Sequence, residues 1–296
     1  MPLHFTSRLT RPRLIIMTAV LAIAGLLIAL AGQAGSAHAA TARPAQSGAA
    51  SWTSGPKPVI VLEHGAWADG SSWDQVVANL QAAGYTVYVP PNPLRGVAAD
   101  SAYLNDFLTQ NANLAGKPVV LVGHSYGGFV TTNAAVGDSE VKALVYVDAF
   151  VPDVGDTLLS LSTSGSCFFT DPTTVFDFVP YPGGPPGDVD LYVKQSVFPG
   201  CFANGLPASE GAALAATQRP LAASVLDEPS GTPAWQTIPS WDVIGTADHI
   251  ITPAEQLFMA QRAGAHITKI NAPHLAMISD PNTVTRVIEQ AARATN

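Results

Sequence analysis

The pentapeptide Gly123-His124-Ser125-Tyr126-Gly127 constrains this chain more than any other feature, because of what stands on either side of it. Pro118-Val119-Val120-Leu121-Val122 precedes it, apolar on both faces as a strand buried between two helical layers must be. A stretch compatible with a helix, near 126–136, follows at once. A strand that turns directly into a helix crowds its backbone, and Gly123, Gly127 and Gly128 supply the small neighbours that such a turn tolerates. The turn presents the Ser125 hydroxyl at the edge of a sheet, the position of a nucleophile; the bland alternative is a glycine-rich turn with no chemistry.

The rest of the chain supplies that sheet. Short apolar runs rich in β-branched or aromatic residues occur at Val59–Leu62, Thr86–Val89, Val119–Val122, Ala143–Val147, Trp241–Ile244 and Ile267–Ile270. They alternate with helical stretches near 73–83, 98–114, 126–136, 253–263 and 281–293, the last opened by Asp280-Pro281. The alternation predicts an α/β fold, with a mostly parallel sheet of about six strands flanked by helices. With 296 residues, 47% of them apolar, the chain has enough material for one ordinary core, so a single domain is expected over 58–296. Residues from about 152 to 239 break the rhythm, with many prolines and glycines, including the run 181–187. Structureless loops of that length are rare in compact domains, so this insertion is expected to be a cap.

A serine hydroxyl needs a base to take its proton and a carboxylate to orient that base. In sheets carrying such a turn the chain order is serine, acid, histidine. Of the seven histidines, His4, His38 and His64 precede the serine, His124 is its immediate neighbour and is expected to point elsewhere, and His266 enters a strand. His274 follows the last strand, in a loop at its carboxyl end, and is the expected base. His249 reads as a neighbour of the acid. Asp248 follows the strand ending at Ile244, and its 26-residue spacing to His274 admits one helix and one strand, returning both side chains to the same sheet edge. Asp148, at the end of the preceding strand, competes for the role of acid. Backbone N–H groups aimed at the oxyanion are expected from Tyr126, at a helix start, and from Ala66, in the loop after the first strand.

Val59 to Trp73, reading VIVLEHGAWADGSSW, together with GHSYGG, VYVDAFVPD, GTADHIITP and NAPHLAMISDP, resembles the methylesterase and hydroxynitrile-lyase branch of the α/β-hydrolase superfamily. The resemblance covers nearly the whole chain beyond the N-terminal segment, least well over 152–239. It implies the α/β-hydrolase fold, Ser125, Asp248 and His274 as a catalytic triad, Ala66 and Tyr126 as oxyanion donors, and a serine esterase that needs no cofactor or metal. The branch holds two chemistries. Lyases of the plant type use a lysine shortly after the acid and a threonine beside the oxyanion loop; this chain has His249-Ile250-Ile251 and Glu63-His64-Gly65-Ala66 at those places, which favours hydrolysis. A lyase-like or other non-hydrolytic enzyme, or a ligand-binding protein that keeps the fold without turnover, are the alternatives.

The ends of the argument lie in charge, export and pocket. Arg8, Arg11 and Arg13 precede the uncharged run Leu14–Ala31 and a small-residue stretch with Ala37-His38-Ala39, the layout of an export signal over 1–39, with an uncleaved membrane anchor as the alternative. Residues 40–57 read as a flexible leader. Cleavage would leave 11 of the 14 basic residues against all 22 acidic ones, a net charge of −11 that disfavours nucleic acid and anionic membranes as partners. Export also allows Cys167 and Cys201 to pair as a disulfide rather than remain buried thiols. Between and beside them stand eight of the 18 Phe and Tyr residues. An aromatic cap over Ser125 suits small esters with an apolar part, and Trp67, Phe150, Phe168, Phe169 and Leu275 are expected in the pocket.

Overall fold

The computed structural model describes residues 56–295. The expected export signal and all but the last two residues of the leader lie outside them; of those two, Lys57 bonds the Ala83 carbonyl and lies 4.8 Å over the Tyr85 ring. Among the described residues no helix is long and apolar enough to cross a membrane.

In chain order the elements are β1 (Val59–Glu63), α1 (Asp74–Ala82), β2 (Val87–Tyr88), α2 (Val97–Gln110), β3 (Val119–His124), α3 (Gly127–Ala134), β4 (Val141–Val147), α4 (Leu158–Leu161) and α5 (Pro172–Val175). They continue as β5 (Phe176–Pro180), β6 (Val189–Val193), α6 (Ala208–Thr217), β7 (Leu221–Ala222), β8 (Ser240–Gly245), α7 (Pro253–Arg262), β9 (His266–Ile270), α8 (Ala276–Ser279) and α9 (Pro281–Ala294). Six strands form one sheet in the order β2-β1-β3-β4-β8-β9, every pair parallel. This is the α/β-hydrolase fold. All six expected strands are present: β1, β3, β4, β8 and β9 run a residue or two longer than expected, while β2 pairs only at Val87–Tyr88 instead of over Thr86–Val89.

Local chemistry fixes the helix starts. Thr252 and Glu255 form a reciprocal capping box at α7, with Pro253 in the first turn, and the Asp280 side chain accepts from Thr283 N–H at α9. Val284, Val287, Ile288 and Ala291 bury one stripe of α9 against the sheet. Helix α2 ends at Gln110, short of the expected 114. The Asn111 side chain accepts the Asn113 amide at 3.0 Å, a local turn that competes with continued helix.

The insertion is structured, as expected for a cap, but its content was not legible: an antiparallel sheet in the order β5-β6-β7 lies among short helices. Cys167 and Cys201 are joined in a disulfide with their Cα atoms 6.0 Å apart. Arg95 ties the cap to the body, pairing with Asp190 at 2.5 Å and lying 4.5 Å over the Tyr181 ring. Because the sheet is parallel, the loops after β1, β3, β4, β8 and β9 all emerge at one edge, the place where open α/β sheets collect their ligands.

Candidate active site

Ser125 opens the turn between β3 and α3 with φ 52°, a left-handed conformation uncommon for a residue with a side chain. The turn is locked: the Ser125 carbonyl accepts from Gly128 N–H at 2.9 Å and Phe150 N–H at 3.2 Å. Two neighbours must be glycine for reasons of contact. A Cβ on Gly127 would meet the Glu63 carbonyl at 2.7 Å, and one on Gly65 would meet Ser125 Cβ at 2.7 Å. The loop after β1 therefore runs in contact with Ser125.

The structure brings Ser125, His274 and Asp248 together. His274 Nε2 is 3.1 Å from Ser125 Oγ, and His274 Nδ1 is 2.8 Å from Asp248 Oδ2, with the Asp248 and His274 side chains wholly buried. The carboxylate is saturated: Oδ1 accepts from Ile250 N–H at 2.7 Å and Ile251 N–H at 3.1 Å, and Oδ2 also accepts from the Gln256 side chain at 2.7 Å. Such bonds fix the plane of the carboxylate. Gln256 was missed in the sequence; a polar residue on the apolar face of α7, one turn after its cap, was the available signal.

Asp148 does not reach the imidazole. Its Oδ1 accepts from Gly245 N–H at 2.6 Å and its Oδ2 from Ala276 N–H at 3.2 Å, so it joins the loop that carries Asp248 to the loop that carries His274. Burial, reinforced by the neighbouring Asp248 charge, pushes its pKa well above the usual carboxylate range. His124 also departs from expectation. Instead of pointing away it lies 4.8 Å from the His274 ring, with Nε2 3.0 Å from the His274 carbonyl. Burial, with His274 alongside, pushes the His124 pKa well down, so its neutral ring donates from Nε2 and props the backbone of the base. His249 is exposed, and its carbonyl accepts from Cys167 N–H at 2.8 Å.

Ala66 and Tyr126 face the same cavity as Ser125. Among the described residues neither of their amides has a hydrogen-bond acceptor, which leaves both free for a developing oxyanion. The Tyr126 phenol is turned away, donating to Asp100 Oδ2 at 2.8 Å.

The cavity measures about 450 Å³ and is walled by Trp67, Phe150, Phe168, Phe169 and Phe176, with Leu158, Leu159, Leu221, Leu226 and Ile250. Among the described residues no carboxylate, ammonium or guanidinium lines it. Phe150, Trp67, Phe168 and Phe169 line it, as do Phe176, Leu158, Leu159, Leu221 and Leu226 of the insertion and Ile250 beyond it. Leu275 is a correction: it lines a separate hollow of about 10 Å³ with Trp67, Phe198 and Phe202. The Asp148 bond to the Ala276 amide starts α8 just after it, and Trp67 borders both spaces.

The model of the "Alpha/beta hydrolase family" matches residues 59–287. A carbendazim hydrolyzing esterase from Nocardioides sp. (strain SG-4G) is 39% identical over 111 residues, covering 34% of this chain and 46% of that protein. Methylesterase 7 of Arabidopsis thaliana is 35% identical over 104 residues, 31% of this chain and 38% of that protein. The chain thus matches less than half the length of these curated relatives. An extracellular α/β-hydrolase from a Paenibacillus species, described as sharing structural and functional homology with tobacco Salicylic Acid Binding Protein 2, superposes with TM-score 0.64 at 20% identity, over 79% of this chain and 98% of that one.

Proposed function

The chain belongs to the alpha/beta hydrolase family, and from that premise we propose that it is a secreted serine esterase that cleaves neutral carboxylic esters through an acyl-enzyme on Ser125. The observation that carries this reading is the continuous relay from Ser125 Oγ through both nitrogens of His274 to Asp248, at 3.1 and 2.8 Å. His274 Nε2 takes the hydroxyl proton as Oγ attacks the ester carbonyl, and Asp248 holds the ring and stabilises its charged form. The carbonyl oxygen becomes an anion between the amides of Ala66 and Tyr126, where one well-aimed donor contributes about 3 to 4 kcal/mol to the transition state. The imidazolium returns the proton to the departing alcohol; water, activated by the same histidine, then releases the acid.

The lining of the cavity supports the substrate class. Aromatic and aliphatic walls remove apolar surface from water, and the absence of a charged lining residue leaves a substrate carboxylate or ammonium without a partner, which is costly in such a space. The named relatives point the same way, one being a carbendazim hydrolyzing esterase. Export is supported by the disulfide, which persists in oxidising compartments.

The test is turnover of p-nitrophenyl butyrate by the purified protein, with a fluorophosphonate probe to mark the reactive serine. Wild type is expected to hydrolyse the ester and to take the label on Ser125, and Ser125→Ala to lose both, with kcat down by about a millionfold as when a whole triad is disabled. Turnover confined to cyanohydrins, or no label on Ser125, overturns the reading.

A further inference from the structure

We propose that Trp67 is a positioning residue through which the cap becomes part of the oxyanion site, so that the Ala66 amide is aimed by the cap sheet as well as by its own loop. The inference rests on the reading of Ala66 and Tyr126 as oxyanion donors and says what holds the first of them in place.

On the body side the loop that leaves β1 is held at His64, whose carbonyl accepts from the Asn92 side chain at 3.0 Å and whose Nε2 accepts from the Asn92 amide at 3.1 Å. Gly65 is seated against Ser125 on one side of Ala66, and Trp67 follows on the other. Trp67 takes φ 55°, where a bulky side chain persists only if its surroundings impose it. The surroundings are specific. The Trp67 amide donates to the Arg219 carbonyl at 3.0 Å, and its indole Nε1–H donates to the Leu191 carbonyl in β6 at 2.8 Å. The indole stacks on Phe176 with centroids 5.5 Å apart and meets the ring edges of Phe168 and Phe202 at 5.2 and 6.0 Å. All five partners belong to the insertion between β4 and β8, and none to the sheet that carries Ser125.

Two of these partners adjoin the disulfide, Phe168 following Cys167 and Phe202 following Cys201. Phe202 also lies 5.1 Å from the His274 ring. The cap therefore grips the oxyanion loop and touches the base in one connected cluster. Moving the cap sheet away from the body would break both Trp67 hydrogen bonds and release the peptide beside Ala66. A cap held this way acts as a fixed wall of the site. Leu159 and Phe169, which line the cavity yet are 55% and 56% exposed, mark its mouth.

The test separates aim from packing. Replacing Trp67 with β-(3-benzothienyl)alanine keeps the ring shape and removes the N–H; Trp67→Phe is a second, genetically simple variant. Each is compared with wild type for kcat and KM on p-nitrophenyl butyrate and for inhibition by a trifluoromethyl ketone, whose adduct with Ser125 places an oxyanion between the two amides. If Trp67 aims the Ala66 donor, kcat falls by about tenfold to hundredfold with KM within about twofold, and ketone affinity weakens in parallel. Folded variants with wild-type kcat, or with a change in KM alone, overturn the proposal and leave Trp67 as pocket wall. Should neither variant fold, hydrogen exchange of the Trp67 indole N–H in wild type decides: slower exchange in the ketone adduct supports the coupling, and unchanged exchange overturns it. Failure of the esterase reading looks different, since wild type itself would then neither hydrolyse the ester nor label on Ser125, and this inference would fall with it.

Discussion

At Asp248 four groups compete for two oxygens, and the distribution of those contacts decides how the base is held. Ile250 and Ile251 amides occupy Oδ1, while Oδ2 is shared between Gln256 and His274. Gln256 therefore sets the side from which the imidazole approaches. A hydrogen bond to a charged acceptor contributes about 1.5 to 3 kcal/mol, so Gln256→Leu is expected to lower kcat/KM on p-nitrophenyl butyrate by about tenfold to hundredfold. An unchanged kcat/KM in a folded Gln256→Leu protein would show that the backbone amides alone orient the acid. Asp148 contributes at one remove, since its two oxygens join the Gly245 and Ala276 amides and so keep the loops of acid and base in register. The Ser, acid and His positions were readable from their order around the turn at Ser125, because chain order and strand position are linear properties. The roles of Gln256, Asp148 and His124 were not, because each depends on which oxygen or ring a side chain meets across the fold.

Among the elements, the sheet and its helices were predictable and the cap was not. Runs such as Val119–Val122 are apolar on both faces, a pattern that only a buried strand satisfies, and Thr252-Pro253 and Asp280-Pro281 announce their helices by capping chemistry. The cap strands lack such a signature. β5 buries Phe176 and exposes the four residues after it, and β7 is two residues long, so neither carries a period from which a strand can be inferred. What stabilises that region is cross-linking and aromatic contact. In the chain-entropy view, closing the 34-residue separation between Cys167 and Cys201 contributes about 4 kcal/mol. The double variant Cys167→Ser/Cys201→Ser is expected to lose stability of about that size in urea unfolding, with KM raised because Phe168 and Phe202 lose their tether. Reductant should have the same effect on wild type and none on the variant; equal urea midpoints with and without the disulfide would mean the cap is held by packing alone.

Taken as a whole, the molecule buries several titratable groups, and these give it a particular response to pH. Burial pulls the His64 pKa from 6.5 down to about 4, with Nε2 accepting the Asn92 amide at 3.1 Å. The unfolded chain therefore binds more protons than the folded one between those values, and this residue alone makes stability fall as pH drops from about 6.5 to about 4, by about 3 kcal/mol in all. Glu63, Asp148 and Asp242 act in the opposite sense: burial raises their pKa values, so their contribution is complete below the unfolded carboxylate range and is lost as pH rises through the folded values. Among the described residues Asp242 has no hydrogen-bond partner for either oxygen, and Asp242→Leu is expected to stabilise the protein at pH 7 by about 1 to 3 kcal/mol. Urea unfolding from pH 7.5 to 4.5 checks both: His64→Gln should flatten the acid decline, and a less stable Asp242→Leu would mean that the carboxyl is satisfied by solvent. By itself the amino-acid sequence determined the sheet, the order of Ser125, Asp248 and His274 around it, and the structured insertion, because periodicity, capping and glycine spacing are local properties that can be read along the chain. Only the tertiary structure decided that Asp148 ties two loops together instead of reaching the His274 imidazole, that Leu275 lines a separate hollow, and that Trp67 binds the cap to the loop after β1. Each of those outcomes turns on a few ångströms between groups tens of residues or more apart, a distance set by the packing of every layer between them.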